Sequence, residues 1–161
     1  VVLGTVPWRS PEGKLYNRAP VLVEGRGAFQ DKLNLTPWEK SFHRGEALGL
    51  LTLGGVRFAV VICLDIEVPE IAVALRGQGV DLLLVPSATE NVLGLERVGR
   101  CASARAVELG CYVGVSHLLG QGQSSLVDEN LGRLAWLSPS QSRTQSSSRI
   151  PLSAGSSMPE R

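Results

Sequence analysis

A single junction in the middle of the chain, where an apolar run meets an acidic stretch that ends in proline, constrains the fold most strongly. Residues 56–62 (VRFAVVI) follow Gly54 and Gly55 and have the composition of a buried β-strand. Pro69 and the six residues after it (EIAVAL) are typical of the start of a helix. Cys63 therefore lies at a strand-to-helix turn. In an open α/β sheet such a turn holds its side chain rigidly at the edge where ligands bind.

Cys63 taken by itself has two interpretations, an exposed nucleophile or a buried structural thiol. Free cysteine is among the most buried residue types, so one cysteine has no functional specificity. The other two, Cys101 and Cys111, fall within a predicted helix and at the start of a predicted strand, and we interpret both as structural. Their spacing is not the close C-x₂₋₄-C pairing of zinc sites, so no metal site is predicted.

Strand and helix patterns alternate along the chain, which predicts an α/β fold. The predicted helices cover residues 69–76 and 95–109. Besides residues 56–62, the predicted strands cover residues 1–6, 15–23, 26–30, 80–86 and 111–118, followed by a hairpin of residues 125–127 with 134–137.

Three segments resemble the nitrilase, or carbon-nitrogen hydrolase, superfamily. They are residues 31–39 (DKLNLTPWE), residues 61–70 (VICLDIEVPE) and residues 104–108 (ARAVE), in that order. The first matches the family's lysine motif, K-x-H/N-L-x-P-x-E, and the second its cysteine motif, C-x-D-x-R/E-x-P-E. Two residues after the motif aspartate the chain has Glu67. In this respect it resembles the amidase-like members, which have glutamate rather than arginine at that position. The resemblance spans residues 1–139 and implies an αββα sandwich that usually dimerises through helical faces.

The resemblance also implies roles for three side chains. Cys63 would be the nucleophile that carries a thioester or thioimidate intermediate. Lys32, with the backbone N–H after Cys63, would stabilise the negative charge of the tetrahedral intermediate. Glu39 would orient the lysine and help to hold substrate. Without the resemblance, Lys32 would be interpreted as a solvated surface lysine and Glu39 as an exposed acid at a helix start.

The family's general base, a glutamate well upstream of the lysine, has no counterpart here. The acids before Lys32 are Glu12, Glu24 and Asp31. The first two sit in turns next to glycine, and Asp31 is too close in sequence to face the lysine across a pocket. We therefore predict that residues 1–137 form a partial carbon-nitrogen hydrolase domain, incomplete at the N-terminus.

The loop after Pro86 is predicted to form a wall of the pocket, because it leaves the strand next to that of Cys63. A polar surface loop is an equally good interpretation of the same residues. The candidate substrate-binding residues are Thr89, Glu90, Asn91 and Arg97.

Composition limits the partners and the location that the sequence predicts, and it marks the end of the predicted domain. The net charge of +1, without a Lys/Arg cluster, implies neither nucleic acid nor an anionic membrane as partner. No apolar run approaches the ~20 residues of a transmembrane helix. The odd number of cysteines, three, favours the reducing cytoplasm as the location. Residues 138–161 are rich in Ser, Gln, Arg and Pro and are predicted to be a disordered tail.

The function predicted from the sequence is an amidase that releases ammonia from a small carboxamide, without a cofactor, and forms a homodimer or higher homo-oligomer when full length. Nitrile and N-carbamoyl hydrolysis remain alternatives, because the pocket residues do not decide between them. An inactive fragment that serves as a binding or dimerisation module is the hypothesis from a different class.

Overall fold

The computed structural model describes residues 1–121 and 129–139. Its strands are β1 (Val6–Arg9), β2 (Leu15–Val23), β3 (Arg26–Asp31), β4 (Leu51–Leu53), β5 (Val56–Val60), β6 (Leu82–Ser87), β7 (Tyr112–His117), β8 (Gly120–Gln121), β9 (Glu129–Asn130) and β10 (Leu134–Leu137). Its helices are a 3₁₀ helix (Cys63–Glu67), α1 (Pro69–Leu75) and α2 (Val92–Leu109). The predicted strand at 125–127 and nearly all of the predicted tail, residues 140–161, lie outside the described residues.

The larger sheet of the described residues has five strands in the order β10-β7-β6-β5-β4. Its three central strands, β5, β6 and β7, are parallel, and the two outer strands pair antiparallel with them. The carboxyl ends of the central strands therefore meet at one edge, as the alternation of strands and helices predicted. Cys63 follows β5 at this edge.

The two faces of this sheet bury different partners. Helices α1 and α2 cover one face, where Val98 and Ala106 of α2 pack with Val85 and Val113 of the sheet. A second sheet, with strand order β1-β2-β3, covers part of the other face, where Val21 of β2 lies in the same cluster as Phe58 and Val60 of β5. One helical layer and two facing sheets therefore build the described part of the chain.

The second sheet does not cover the whole of that face. On β7 and β10 the side chains of Tyr112, Leu134 and Trp136 are exposed, the last to 63%. The rings of Tyr112 and Trp136 stack with centroids 5.9 Å apart. A Cβ on Gly114 would lie 3.0 Å from the Trp136 ring, so glycine lets the indole lie flat on the sheet. These three side chains form an exposed apolar patch.

Helix α2 and the first strand differ from their predicted bounds. Helix α2 begins at Val92, three residues earlier than predicted, because the Asn91 side chain accepts the Gly94 N–H and caps the helix. The first strand is Val6–Arg9, and Val2 makes only an isolated bridge to β2. Strand β10 has its predicted bounds, Leu134–Leu137, and pairs along its length with β7, an interaction that the spacing of turn residues does not predict.

Candidate active site

Cys63 lies on a strained turn at the carboxyl edge of the five-stranded sheet. Its φ is +48°, a left-handed conformation that costs a non-glycine residue free energy. The Asp65 N–H donates to the Ile62 carbonyl at 3.0 Å and so closes the turn. The Cys63 thiol lies 3.5 Å from the carbonyl oxygen of Ala88, the residue directly after the neighbouring strand β6. The turn therefore holds the thiol half-buried between two strand ends.

Lys32 follows directly after β3, and its ammonium group is buried. The side chain is 4% exposed, and Nζ lies 2.6 Å from Glu39 Oε2. The backbone N–H of Lys32 donates to the Asn17 carbonyl and its carbonyl accepts from the Gly45 N–H. Lys32 is therefore held at its backbone by its own sheet and at its charged end by a carboxylate.

Glu39 is buried behind Lys32 and accepts hydrogen bonds at both carboxylate oxygens. Asn17 Nδ2 donates to Oε1 at 2.8 Å, and the Thr36 N–H and hydroxyl donate to Oε2 at 2.8 and 2.7 Å. Burial acts to raise the pKa of Glu39, but the bonds from Lys32, Thr36 and Asn17 outweigh it and hold the pKa below its ordinary value. The buried pair is therefore a charged pair, and the exposed-surface alternatives for Lys32 and Glu39 are wrong.

Asp65 joins the lysine segment to the cysteine segment. Its carboxylate is 1% exposed and accepts the Leu33 N–H at 3.1 Å, the Asn34 N–H at 2.6 Å and Asn34 Nδ2 at 2.9 Å. Burial raises the pKa of Asp65, although these bonds and the Lys32 charge oppose the effect. Asp65 is part of the cysteine motif, but its bonding partners, some thirty residues away, could not be read from the sequence.

A cavity of about 990 Å³ opens between the two sheets at this edge. Both Cys63 and Lys32 line it, whereas Glu39 lies behind the lysine and is not part of the wall. Asn17, which the sequence did not single out, lines the cavity as well as bonding to Glu39. Asn17 sits within a strand, where no motif or spacing marks it.

All four predicted substrate-binding residues line the same cavity, in two different ways. The side chains of Thr89 and Asn91 build the wall, since the Thr89 hydroxyl donates to the Leu131 carbonyl at 2.6 Å and Asn91 caps α2. Glu90 and Arg97 present charge, and Arg97, 61% exposed, donates from Nε to Glu67 Oε2 at 3.0 Å. Besides Lys32, the charged side chains among the described residues that line the cavity are Glu67, Glu90 and Arg97.

The acids upstream of Lys32 lie away from the cavity in the part of the chain that the structure describes. Asp31 is bound by the Arg18 guanidinium at 2.7 and 2.8 Å, and Glu24 occupies a turn. Glu12 lines a separate depression. Among the described residues, the acids that do line the cavity are Glu67 and Glu90.

The match to known proteins covers nearly the whole chain. Residues 1–158 fit the family model described as carbon-nitrogen hydrolase. The chain belongs to this family. It is 32% identical over 148 residues to a protein described as "hydrolase in pqqF 5'region" of Pseudomonas protegens, covering 83% of this chain and 51% of that protein. Over 119 residues it is 32% identical to the (R)-stereoselective amidase of a Pseudomonas species, covering 72% of this chain and 43% of that enzyme.

Solved structures of the nitrilase superfamily share the fold. Nit3 of Saccharomyces cerevisiae superposes with a TM-score of 0.76 at 28% identity, covering 86% of this chain and 51% of Nit3. The amidase of Nesterenkonia sp. AN1 superposes with a TM-score of 0.70 at 30% identity, covering 84% of this chain and 53% of the amidase. The predicted nitrilase-like α/β fold is confirmed. This chain spans about half the length of the chains in these two structures.

Two further properties of the described residues bear on function. They contain no group of three His, Cys, Asp or Glu side chains that could hold a metal ion. Within the same ranges, no helix has the length and apolar character needed to cross a membrane.

Proposed function

We propose that this chain supplies the nucleophile and the charge-stabilising lysine of an amidase that hydrolyses small carboxamides through a Cys63 thioester. The observation that carries the proposal is that Cys63, on a strained turn, lines the same cavity as Lys32. The buried Glu39 carboxylate pairs with Lys32 Nζ at 2.6 Å and holds the lysine at the cavity wall. Relatives described as amidases, at about 30% identity, support cleavage of a carbon-nitrogen bond.

The chemistry follows from the roles of these groups. The Cys63 thiolate attacks the amide carbon, and the carbonyl oxygen becomes an oxyanion. The Lys32 ammonium and the N–H of Leu64 stabilise that charge. Collapse of the intermediate breaks the C–N bond and releases ammonia once the nitrogen receives a proton. Water then attacks the thioester, which gives the acid and returns the free thiol.

A general base completes this sequence, and we propose that the described residues, 1–121 and 129–139, do not provide an efficient one. Glu67 is engaged by Arg97, and Glu90 lies on the exposed rim. General acid–base catalysis contributes about 10²–10⁴-fold, so this chain by itself would turn over amides very slowly.

Other activities remain open at this site. Nitrile and N-carbamoyl hydrolysis use the same thiol chemistry, and the cavity wall does not separate them from amide hydrolysis. A binding or dimerisation module is favoured by the exposed patch of Tyr112, Leu134 and Trp136. The proposed partner is a second copy of this chain. The proposed location is the cytoplasm, since Cys63, Cys101 and Cys111 are free thiols.

Ammonia release tests this proposal. Residues 1–161 and, where the gene has coding sequence upstream of Val1, a form extended by it are compared on a panel of small carboxamides, nitriles and N-carbamoyl compounds. We expect turnover of carboxamides by the extended form, lost in Cys63→Ala and in Lys32→Ala. Robust turnover by residues 1–161 would contradict the missing base, and Glu67→Gln and Glu90→Gln would then identify its substitute. Turnover that survives Cys63→Ala would refute the thioester.

A further inference from the structure

We propose that Asp65 is a positioning residue that holds the Lys32 ammonium in register with the Cys63 thiol. The inference rests on the proposed function and adds to it a residue that touches neither substrate nor reacting atoms. Asp65 lies two residues after Cys63, on the 3₁₀ helix that Cys63 begins. Its three hydrogen-bond donors all belong to Leu33 and Asn34, the two residues directly after Lys32.

The two reacting side chains belong to different sheets. Lys32 follows β3 of the three-stranded sheet, and Cys63 follows β5 of the five-stranded sheet. The backbone bonds of Lys32 to Asn17 and Gly45 tie it to its own side of the sandwich. Contacts between the sheets are apolar and non-directional, so they do not by themselves fix the distance between two particular side chains. The Asp65 bonds are directional and cross from one sheet to the other.

A purely structural link would not need a charge at this position. A carboxylate that is 1% exposed costs free energy to bury, and only well-made hydrogen bonds offset that cost. The short aspartate side chain also allows little freedom between the backbone of residue 65 and that of residues 33 and 34. The arrangement therefore defines one distance between the lysine and cysteine segments.

Alkylation of Cys63 by a charged and a neutral reagent of similar size tests the inference in residues 1–161, without any need for turnover. The readout is the ratio of second-order rate constants for iodoacetate and iodoacetamide, measured by mass spectrometry on the peptide that carries Cys63. A lysine held at the thiol favours the iodoacetate anion. General loosening of the fold would change access for both reagents together and leave the ratio unchanged.

In the Asp65→Asn variant, the direction in which the rate ratio changes distinguishes positioning of Lys32 from a simple electrostatic effect of Asp65. Loss of a negative charge near the thiol would raise the ratio, whereas displacement of Lys32 lowers it. We expect the ratio to fall by about threefold. A rise or no change would overturn the inference. If this variant fails to fold, Asn34→Ala, which removes only the Nδ2 bond, should lower the ratio by a smaller factor, and an unchanged ratio there would overturn the inference equally.

A double-mutant cycle identifies the residue through which Asp65 acts. In Lys32→Met/Glu39→Gln, which removes both charges of the buried pair, adding Asp65→Asn should lower the ratio no further. A further fall of the same size would overturn the inference. Asp81→Asn is the matched control, since Asp81 also accepts a backbone N–H, from Arg57 at 2.8 Å, but near the amino end of β6. Its ratio should equal that of the unmodified chain.

The same cycle distinguishes this inference from the proposed function. If Lys32→Met/Glu39→Gln leaves the ratio unchanged while Asp65 is present, then Lys32 does not act at Cys63 and the proposed function fails. If that variant lowers the ratio but Asp65→Asn does not, only the positioning role fails.

Discussion

Lys32 Nζ and Glu39 Oε2 lie 2.6 Å apart, and both side chains are almost completely buried. A buried charge is tolerated only when it is paired and hydrogen-bonded, and here Asn17 and Thr36 complete the shell around the carboxylate. The pair therefore keeps a positive charge at the wall of the cavity that Cys63 lines.

Breaking this pair at one end should destabilise the fold strongly. Glu39→Gln leaves the Lys32 ammonium buried without its hydrogen-bonded carboxylate partner, and we expect a loss of about 3–5 kcal/mol in the free energy of unfolding. Lys32→Met/Glu39→Gln removes both charges and should cost clearly less. Urea unfolding followed by circular dichroism measures both. Equal losses in the two variants would show that charge pairing is not the cause.

The contribution of Glu39 to stability should disappear in acid. Its pKa is lowered in the folded chain from the ordinary value of 4.5, so the folded state binds fewer protons than the unfolded state. The stabilisation is complete above that ordinary value and is lost as the pH falls through the folded pKa. The stability gap between the wild type and Glu39→Gln should therefore shrink below pH 4.5. Urea unfolding at a series of pH values checks it, and a gap that widened in acid would contradict it.

The contribution of Asp65 to stability should depend on pH in the opposite direction to that of Glu39. Burial raises its pKa above the ordinary value of 3.8, so its contribution is complete below that value and declines as the pH rises through the folded pKa. The stability of the wild type relative to Asp65→Asn should therefore be greatest in acid. The same unfolding series measures this, and a relative stability that increased with pH would show that the hydrogen bonds outweigh burial.

Cys63 should be the first cysteine that iodoacetamide modifies at pH 7. Cys111 is buried in the core, and burial raises the pKa of Cys101, whereas Cys63 lines the open cavity. We expect Cys63 to react about tenfold faster than either. Peptide mapping after limited labelling gives the order, with Cys63→Ser as the control. Preferential labelling of Cys101 would place the reactive thiol elsewhere.

The exposed apolar patch should cause self-association. Leu134 and Trp136 expose most of their surfaces beside Tyr112, and contiguous apolar surface of this kind drives association in water. Leu134→Lys and Trp136→Ser should each shift sedimentation velocity profiles toward monomer. Val73→Ser, at an exposed valine on α1 away from the patch, is the matched control and should leave the profile unchanged.

The turn at Cys63 could be predicted from sequence because its determinants are local. A β-branched run ends before the cysteine, and Pro69 stands at the first position of α1, where a missing N–H costs nothing. The hairpin of β2 and β3 could also be predicted from the sequence, since Glu24 and Gly25 mark the turn between two β-rich runs. Periodicity and turn chemistry act over a few residues, and they determined these elements.

Only the tertiary structure decided which side chains meet. Lys32 and Glu39 are seven residues apart, but their burial depends on Asn17, and the Asp65 bonds reach across more than thirty residues between two sheets. The start of α2 likewise depended on whether Asn91 turned its side chain back to the helix. Contacts of this kind arise when two apolar sheet faces pack and exclude water, a long-range process that a local pattern of residues does not record.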